Sequence, residues 1–231
     1  VKEGVDFVKL MASGGGTKGT SSRQPSFTEA EITAAVEESH RFDKTVIAHC
    51  EAHDSVGNAA RAGVDVLEHC GFILRDGTRG FDTEAVNTMI EKKLFYDPTL
   101  QTGSLELDSL RARREHKIKR KSENLARMVK MGVQVVAGSD GIGLGNSTRL
   151  IRSMELMAEA GMTPIRVIAS ATSNAAKALK MDHLLGTIRE GLRADIIAVE
   201  GDPSKNISDL RSTTMIMQNG IQLKGARKRS I

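Results

Sequence analysis

The 231-residue chain contains no tryptophan, one tyrosine and only two cysteines. Two cysteines, Cys50 and Cys70, are too few for the disulfide framework of a small secreted protein, and both are expected to be buried free thiols. No apolar run approaches the roughly 18–20 residues that a membrane-spanning helix needs. The sequence therefore predicts no membrane partner and a cytoplasmic location. Because the first residue is Val1 and not methionine, this expectation does not extend to a signal on any segment before it.

The chain has a net charge of +4, and its basic residues are concentrated in Arg111–Lys121 and Lys224–Arg229. Surfaces that bind single-stranded nucleic acid combine basic with aromatic side chains, whereas aromatic residues make up only 3% of this chain. We interpret the two basic segments as a solvated helix face and a solvated tail, and we expect no nucleic-acid partner. The glycines at 14–16 fit neither a dinucleotide-binding motif nor a phosphate-binding loop.

Short apolar runs alternate with helical stretches over the first two-thirds of the chain. The predicted strands are Val5–Met11, Thr45–His49, Val64–His69, Leu94–Tyr96 and Val133–Ala137. The predicted helices are one that starts with a capping box at Thr28, then Ser55–Ala62, Thr83–Lys92, Leu107–Met131, Thr148–Ala160 and Pro164–Leu179. Strands and helices that alternate in this way predict an α/β fold with parallel strands. Five such units fall short of a complete (β/α)8 barrel, which takes about 250 residues.

After Leu179 the pattern changes to short β-like runs. These runs are Gly186–Ile188, Ala194–Val199, Thr213–Gln218 and Ile221–Lys224. Asn219-Gly220 lies between the last two, and this dipeptide is typical of a two-residue β-hairpin turn. The C-terminal part is therefore expected to be a small β appendage.

A lysine interrupts the first predicted strand. Because side chains alternate along a strand, Lys9 shares one face with Phe7 and Met11. A buried ammonium group is costly unless it is paired or chemically altered. Two interpretations follow from the residues: Lys9 extends its amine into solvent, or it has reacted with carbon dioxide to form a carbamate that can bind metal ions.

Two histidines end successive predicted strands, His49 and then His69. A single histidine in such a position is more often a structural residue than a ligand. Neighbouring parallel strands lie about 4.8 Å apart, so two imidazoles at matching heights could both reach one ion at about 2.0–2.1 Å. The pair predicts a metal site at the carboxyl ends of the strands, which is where parallel barrels place their active sites.

Further polar residues follow the predicted strands. Asp140 comes after the fifth strand and is a candidate metal ligand or general base, with capping of the next turn as the structural alternative. His53 and Glu51 follow His49, and a surface loop would explain both equally well. His53 and Tyr96 are the candidate substrate-binding residues.

The segments FVKLMASGG, VIAHCE, GVDVLEHC and VVAGSDG, in this order, resemble four of the last five barrel strands (4, 5, 6 and 8) of the metal-dependent amidohydrolase superfamily. The run ATSNAAKALKMDHLLGTIREGLRADIIAVEGDPSKNI is similar to that family's junction between barrel and β-sandwich. The nearest branch is that of the imidazolonepropionase-like and Xaa-Pro dipeptidase-like enzymes. This resemblance implies a partial TIM (β/α)8 barrel, strands 4–8, over residues 1–183 and a β-sandwich portion over residues 184–231.

The resemblance also implies a metal site. By it, Lys9 is carbamylated and bridges two divalent ions, usually zinc, while His49 and His69 bind the second ion. Asp140 would bind the first ion and carry the proton of the attacking hydroxide. The family's N-terminal His-x-His pair, which holds the first ion, does not occur in this sequence. We therefore expect one or two zinc ions, with one site incomplete without that pair.

The implied function is hydrolysis of a carbon–nitrogen bond, amide or peptide-like, in a small-molecule or dipeptide-like substrate by metal-activated water. Full activity would need a further N-terminal segment, and a single-ion deaminase is a variant of the same class. The alternative is a non-catalytic amidohydrolase fragment that folds by association. A sheet of five strands has two open edges through which homo-oligomers could form. A basic nucleic-acid-binding module is a third hypothesis that rests on charge alone.

Overall fold

The computed structural model describes residues 4–15, 17–100, 108–140 and 146–223. The chain divides into two compact units, one formed by Val1–Thr99 with Leu107–Val136 and the other by Leu100–Glu106 with Ala137–Ile231. Each helix in the described ranges is too short or too polar to cross a lipid bilayer.

The first unit is built on a five-stranded parallel sheet with the strand order β1-β2-β3-β4-β5. The strands are β1 (Phe7–Met11), β2 (Thr45–Ala52), β3 (Val66–Ile73), β4 (Phe95–Asp97) and β5 (Gln134–Val135). The connecting helices are α1 (Glu29–His40), α2 (His53–Ala62), α3 (Thr83–Glu91) and α4 (Asp108–Met131). The predicted α/β fold is confirmed: consecutive strands pair in parallel, and each crossover between them contains a helix.

Helix α1 begins at the predicted capping box. The Thr28 hydroxyl accepts a hydrogen bond from the Glu31 N–H at 3.3 Å, and the Glu31 carboxylate accepts one from the Thr28 N–H at 2.8 Å. These bonds satisfy donors that have no partner within the first helical turn. The helix then buries Ile32 and Val36.

The core of this unit lies between the sheet and its helices. Val46, Ala48 and Cys50, which alternate along β2, are fully buried. Helix α2 packs on β2 and β3 and contributes the buried residues Val56 and Ala59. This packing fixes the strands that carry both histidines.

Both histidine-bearing strands continue past the histidine. Strand β2 runs to Ala52 and β3 runs to Ile73, so the predicted strand ends at His49 and His69 were too early. Glu51 is therefore a buried strand residue, with its carboxylate 3.9 Å from Arg79 Nη1. The local sequence pattern could not show this, because the hydroxyl of Ser13, 38 residues away, accepts the Glu51 N–H.

The second unit contains helices and an antiparallel sheet. The helices are α5 (Asn146–Glu159), α6 (Pro164–Ala171), α7 (Ser173–Ala178) and a short 3-10 helix (Ile207–Arg211). The strands are β6 (Ile196–Val199), β7 (Thr213–Gln218) and β8 (Ile221–Leu223), in that order in the sheet. The predicted turn joins β7 to β8, with φ of 52° at Asn219 and 78° at Gly220. Such left-handed angles at both positions match the hairpin turn that this dipeptide favours.

Two predictions in the second unit were wrong. The single helix predicted from Pro164 to Leu179 is broken at Thr172, whose φ of −129° and ψ of −94° lie outside the helical region. The Thr172 hydroxyl donates to the Ile168 carbonyl at 2.8 Å, a bond that tends to bend helices. No strand forms in the described segment Gly186–Ile188, where the Ile188 side chain is 87% exposed.

Candidate metal centre

The strand register brings an acidic residue beside the first histidine. In the paired strands β2 and β3, His49 lies opposite Glu68, and His69 lies opposite Cys50. Residues that pair across neighbouring strands share a face of the sheet. The two histidines are therefore offset by one residue in the register, and regular strands would point the His69 ring away from the His49 ring.

The backbone at His69 restores the convergence of the two histidines. His69 has φ of +65° and Cys70 has φ of +43°, so both leave the strand conformation for the left-handed region. The His49 and His69 rings lie edge to face with centroids 4.5 Å apart. Left-handed backbone costs a non-glycine residue about 1–2 kcal/mol, and such strain is concentrated at functional sites.

Three side chains form a set of candidate ligands. His49, Glu68 and His69 each place one ligand atom within 4.8 Å of the others, and His69 Nε2 lies 3.9 Å from Glu68 Oε2. Two imidazoles and one carboxylate form a donor set that catalytic zinc sites use, with ligand distances of about 2.0–2.2 Å. The three atoms are close enough to bind one ion after small side-chain movements.

The hydrogen bond of His49 indicates which ring nitrogen is free. His49 Nε2 lies 3.1 Å from the carbonyl oxygen of Gly14. A carbonyl can only accept, so Nε2 carries the proton in this tautomer and Nδ1 keeps its lone pair. Nδ1 is therefore the nitrogen of His49 that could bind a metal ion.

Lys9 joins this cluster through Glu68. The ammonium group of Lys9 forms an ion pair with the Glu68 carboxylate, although 59 residues separate the two in sequence. Lys9 lies opposite Ile47 of β2, and Glu68 lies opposite His49 of the same strand. Sequence reasoning missed Glu68, although an acid inside the apolar run VDVLEH is the same kind of signal that selected Lys9.

The second nitrogen of His69 faces a buried polar group. His69 Nδ1 lies 2.5 Å from Thr99 Oγ1 and 3.5 Å from Lys121 Nζ. The Lys121 side chain is 2% exposed, so our interpretation of Arg111–Lys121 as a solvated face was wrong for this residue. Its ammonium group is compensated inside the protein by hydrogen bonds to both oxygens of Thr99.

Tyr96 on strand β4 forms a hydrogen bond with the backbone of His69. Tyr96 is fully buried, and its hydroxyl donates to the His69 carbonyl at 3.3 Å. Burial raises the pKa of Tyr96 well above its ordinary value, which keeps the hydroxyl protonated as a donor. These surroundings favour a supporting role for Tyr96, and its contact with substrate stays a prediction.

The remaining predicted residues lie outside the three-residue ligand set. His53 is the first residue of α2, half-buried, with its ring 6.2 Å from that of Phe72. Asp140 follows β5, is exposed and has φ of +45°. It belongs to the second unit. Substrate contact by His53 and catalysis by Asp140 stay predictions.

The sequence profile of the Amidohydrolase family matches residues 1–222 of this chain. The chain belongs to the amidohydrolase family. This confirms the resemblance that the four strand motifs indicated.

Two relatives of this amidohydrolase chain, one of them compared both in sequence and in structure, show how far the similarity extends. Ochratoxinase of Aspergillus niger is 28% identical over 242 residues, covering 97% of this chain and 48% of the ochratoxinase. The crystal structure of a Xaa-Pro dipeptidase with bound methionine is similar with a TM-score of 0.83 and 28% identity, over 97% of this chain and 56% of that one. The crystal structure of the A. niger ochratoxinase gives a TM-score of 0.81 and 26% identity, over 97% and 52%. The chain therefore spans about half the length of the relatives it matches.

Proposed function

We propose that this amidohydrolase chain forms the metal-binding part of a hydrolase that cleaves carbon–nitrogen bonds, amide or peptide-like, in small molecules. The observation that carries the proposal is the convergence of His49, Glu68 and His69 on neighbouring strands. Membership of the amidohydrolase family supports an amide substrate, and similarity to a Xaa-Pro dipeptidase supports a dipeptide-like one. The proposal includes a partial (β/α)8 barrel over residues 1–183, followed by a β-sandwich portion over residues 184–231.

The donor set fits a divalent ion, and zinc is the ion that we propose. His49 would offer Nδ1, because its Nε2 faces the Gly14 carbonyl, and His69 would offer Nε2, which lies nearer Glu68. Glu68 would offer a carboxylate oxygen. A divalent ion held there would supply Lewis-acid chemistry, which polarises an amide carbonyl and makes water a stronger nucleophile near neutral pH. The strands hold these three side chains in place, as a catalytic site requires.

Lys9 is the fourth member of the proposed site. As an ammonium group it neutralises Glu68, whereas as a carbamate it would carry a negative charge beside the same carboxylate. A carbamate on Lys9 and the carboxylate of Glu68, both negative and in contact, would repel each other unless cations lie between them. We therefore propose that carbamylation of Lys9 accompanies binding of two ions, and that the ammonium form accompanies a single ion at His49, Glu68 and His69.

Asp140 and His53 complete the proposed catalytic group. Active-site residues of parallel barrels follow the C-terminal ends of the strands, and Asp140 follows β5 in sequence. We therefore propose that its carboxylate accepts the proton of the attacking water. His53 lies at the start of α2, directly after the strand that carries His49, and would contact the substrate. Both assignments are tested by substitution: Asp140→Asn is expected to lower kcat, and His53→Ala is expected to raise KM.

Metal analysis tests the ligand set directly. We expect the purified chain to bind zinc, and His49→Ala, His69→Ala and Glu68→Gln each to lower its zinc affinity by at least about tenfold. His183→Ala is the matched control, because His183 is exposed. Zinc affinity is measured by competition with a chelating dye. Unchanged affinity in the two histidine variants would contradict the proposed site.

Hydrolysis is tested with a panel of Xaa-Pro dipeptides and N-acyl amino acids. The expected result is release of free amino acid, loss of this activity after dialysis against a chelator, and its return with zinc. The assay is run on this chain alone and on a longer chain that carries a His-x-His segment. If both chains bind zinc and neither hydrolyses any substrate of the panel, the hydrolase proposal is wrong.

A second candidate function is a non-catalytic role in which the chain folds by association. Strand β1 is at the end of the strand order, and its residues Phe7 and Met11 are 45% and 47% exposed. An edge strand with exposed apolar side chains can pair with another chain. Light scattering after gel filtration tests this candidate: a stable monomer that binds zinc would argue against it.

A further inference from the structure

The feature that the proposed chemistry does not use is a buried lysine on helix α4. Lys121 is 2% exposed, and lysine is almost never buried to this extent without compensation. Its Nζ lies 3.1 Å from Thr99 Oγ1 and 3.3 Å from the Thr99 carbonyl oxygen. An ammonium group donates and cannot accept, so Thr99 accepts at both oxygens.

Thr99 connects this lysine to His69. Its hydroxyl oxygen lies 2.5 Å from His69 Nδ1, while the other nitrogen of the ring, Nε2, lies 3.9 Å from the Glu68 carboxylate. Thr99 thus contacts the side of the imidazole opposite to the proposed ligand atom. Histidine ligands are often held in this way, by a partner on the nitrogen that does not bind the metal.

The backbone shows that this contact is maintained at a cost. Thr99 has φ of +41°, and a β-branched residue in the left-handed region is a true outlier. Asp97 Oδ1 accepts the Thr99 N–H at 2.9 Å and so holds the turn in this conformation. Since His69 also has a left-handed φ, the hydrogen bond joins two strained residues. Such strain persists where the surrounding structure enforces it and is a pointer to function.

We propose that Thr99 and Lys121 are positioning residues for His69. His69 Nδ1 donates a hydrogen bond to Thr99 Oγ1, so the lone pair of the ring is on Nε2, on the side of Glu68. Lys121 Nζ lies 3.5 Å from the same Nδ1, because both groups donate to the one Thr99 oxygen. Lys121 holds both oxygens of Thr99 and keeps the hydroxyl oxygen oriented as an acceptor. This inference rests on the proposed function for its purpose, but the hydrogen-bond arrangement itself can be observed without metal.

The first test is the histidine tautomer in the metal-free protein. Long-range proton–nitrogen NMR spectra of the whole chain with labelled histidine distinguish the two neutral tautomers, and His69→Gln identifies the His69 signals. We expect His69 to carry its proton on Nδ1 in the wild type and to show mixed tautomers in Thr99→Val and Lys121→Met. Thr99→Ser keeps the hydroxyl and is expected to retain the wild-type tautomer. A wild-type His69 protonated on Nε2 would overturn the proposal.

The second test is zinc affinity in the same variants. Second-layer partners of metal ligands typically contribute about 10–100-fold, so we expect a decrease of that size in Thr99→Val and about tenfold in Lys121→Met. Met128→Leu is the matched control, because Met128 is also buried in α4. If Lys121→Met folds and keeps both the wild-type His69 tautomer and the wild-type zinc affinity, Lys121 is not a positioning residue. If that variant does not fold by circular dichroism, Lys121→Gln, which keeps a neutral donor, is measured instead.

The two proposals fail in different ways. A wild-type chain that binds no zinc contradicts the proposed function, while the NMR spectra still decide whether Thr99 and Lys121 set the His69 tautomer. A wild-type chain that binds zinc through His69, with unchanged affinity in Thr99→Val, contradicts only the positioning role.

Discussion

The ring centroids of His49 and His69 lie 4.5 Å apart, although the strand register pairs His49 with Glu68. The left-handed backbone of His69 makes this possible, because it reverses the side-chain alternation of β3 at that residue. Two separate features therefore form the candidate metal centre. The register supplies His49 and Glu68, and one unusual backbone conformation adds His69.

Gly15→Ala is expected to damage the metal centre more than the fold. A Cβ atom at Gly15 would lie 2.9 Å from both Cε1 and Nε2 of His49, so the ring must move away from Gly14. We expect zinc affinity to fall about tenfold or more, as when an outer partner of a ligand is removed. The measurement is chelator competition together with a thermal melt. A fall in melting temperature with normal zinc affinity would show that the ring position is irrelevant.

Gly71→Ala is expected to reduce stability. The new Cβ would lie 2.8 Å from the Glu51 carbonyl oxygen and 2.0 Å from its carboxylate, and the backbone atom cannot move aside cheaply. Overpacking of this kind lowers the free energy of unfolding by about 1–3 kcal/mol. Urea denaturation followed by circular dichroism measures the change.

Gly57→Ala is the matched control for that substitution. Its Cβ would approach only side-chain atoms, the nearest being an Arg61 guanidinium nitrogen at 3.0 Å. Because Gly57 lies within helix α2, alanine should raise the free energy of unfolding by about 0.5–1 kcal/mol. Equal effects of the two substitutions would show that crowding at Glu51 is unimportant.

Glu155→Gln is expected to destabilise the second unit. The Arg211 guanidinium donates to both carboxylate oxygens of Glu155, at 2.7 and 2.8 Å, and Ser208 donates to Oε1 at 3.0 Å. Hydrogen bonding by Arg211 is the main reason that the pKa of Glu155 falls from 4.5 to about 2. Because Arg211 is partly exposed and screened by solvent, we expect a loss of about 1–3 kcal/mol in the free energy of unfolding. Glu159→Gln, at a more exposed partner of Arg152, is the control and should cost less.

The lowered pKa of Glu155 makes the free energy of unfolding depend on pH. Its pKa is lower in the folded chain than in the unfolded chain, so its contribution is complete above pH 4.5 and is lost as pH falls toward 2. The stability gap between wild type and Glu155→Gln should therefore narrow between these values. Urea melts at pH 7, 4 and 3 measure the gap. A gap that stays constant to pH 3 would show that Glu155 contributes by packing alone.

The two thiols are expected to be unreactive in the folded protein. Cys50 and Cys70 are both free and fully buried, and burial raises the pKa of each well above its ordinary value. An aromatic disulfide reagent at pH 8 should react with them more than about a hundredfold more slowly than with free cysteine, because thiolate is scarce and access requires local unfolding. Both should react at once in concentrated urea. Fast reaction of the native chain would place a thiol at the surface.

Much of the fold could be predicted from local patterns. The capping box at Thr28 and the turn at Asn219-Gly220 form as expected, because each depends on residues that are adjacent or nearly adjacent in sequence. The break at Thr172 was missed, because helical periodicity continues on both sides of a bend. The extensions of β2 and β3 were missed for a related reason, since partners such as Ser13 are distant in sequence.

The candidate site was predicted only in part. Lys9, His49 and His69 stand out because polar residues interrupt apolar strands, and the structure brings all three to Glu68. Glu68 itself depends on strand register, which the sequence does not state. Lys121 could not be found, because an amphipathic helix rich in charge gives no sign that one lysine points inward.

The left-handed conformation of His69 has a consequence for sequence drift in this family. Histidine shares with asparagine and aspartate a tendency to adopt this backbone, so selection for the backbone alone would accept any of the three at position 69. A histidine retained there across related chains would therefore record continuing selection for its imidazole. Asparagine or aspartate at the equivalent position would mark chains in which this backbone is kept without the imidazole.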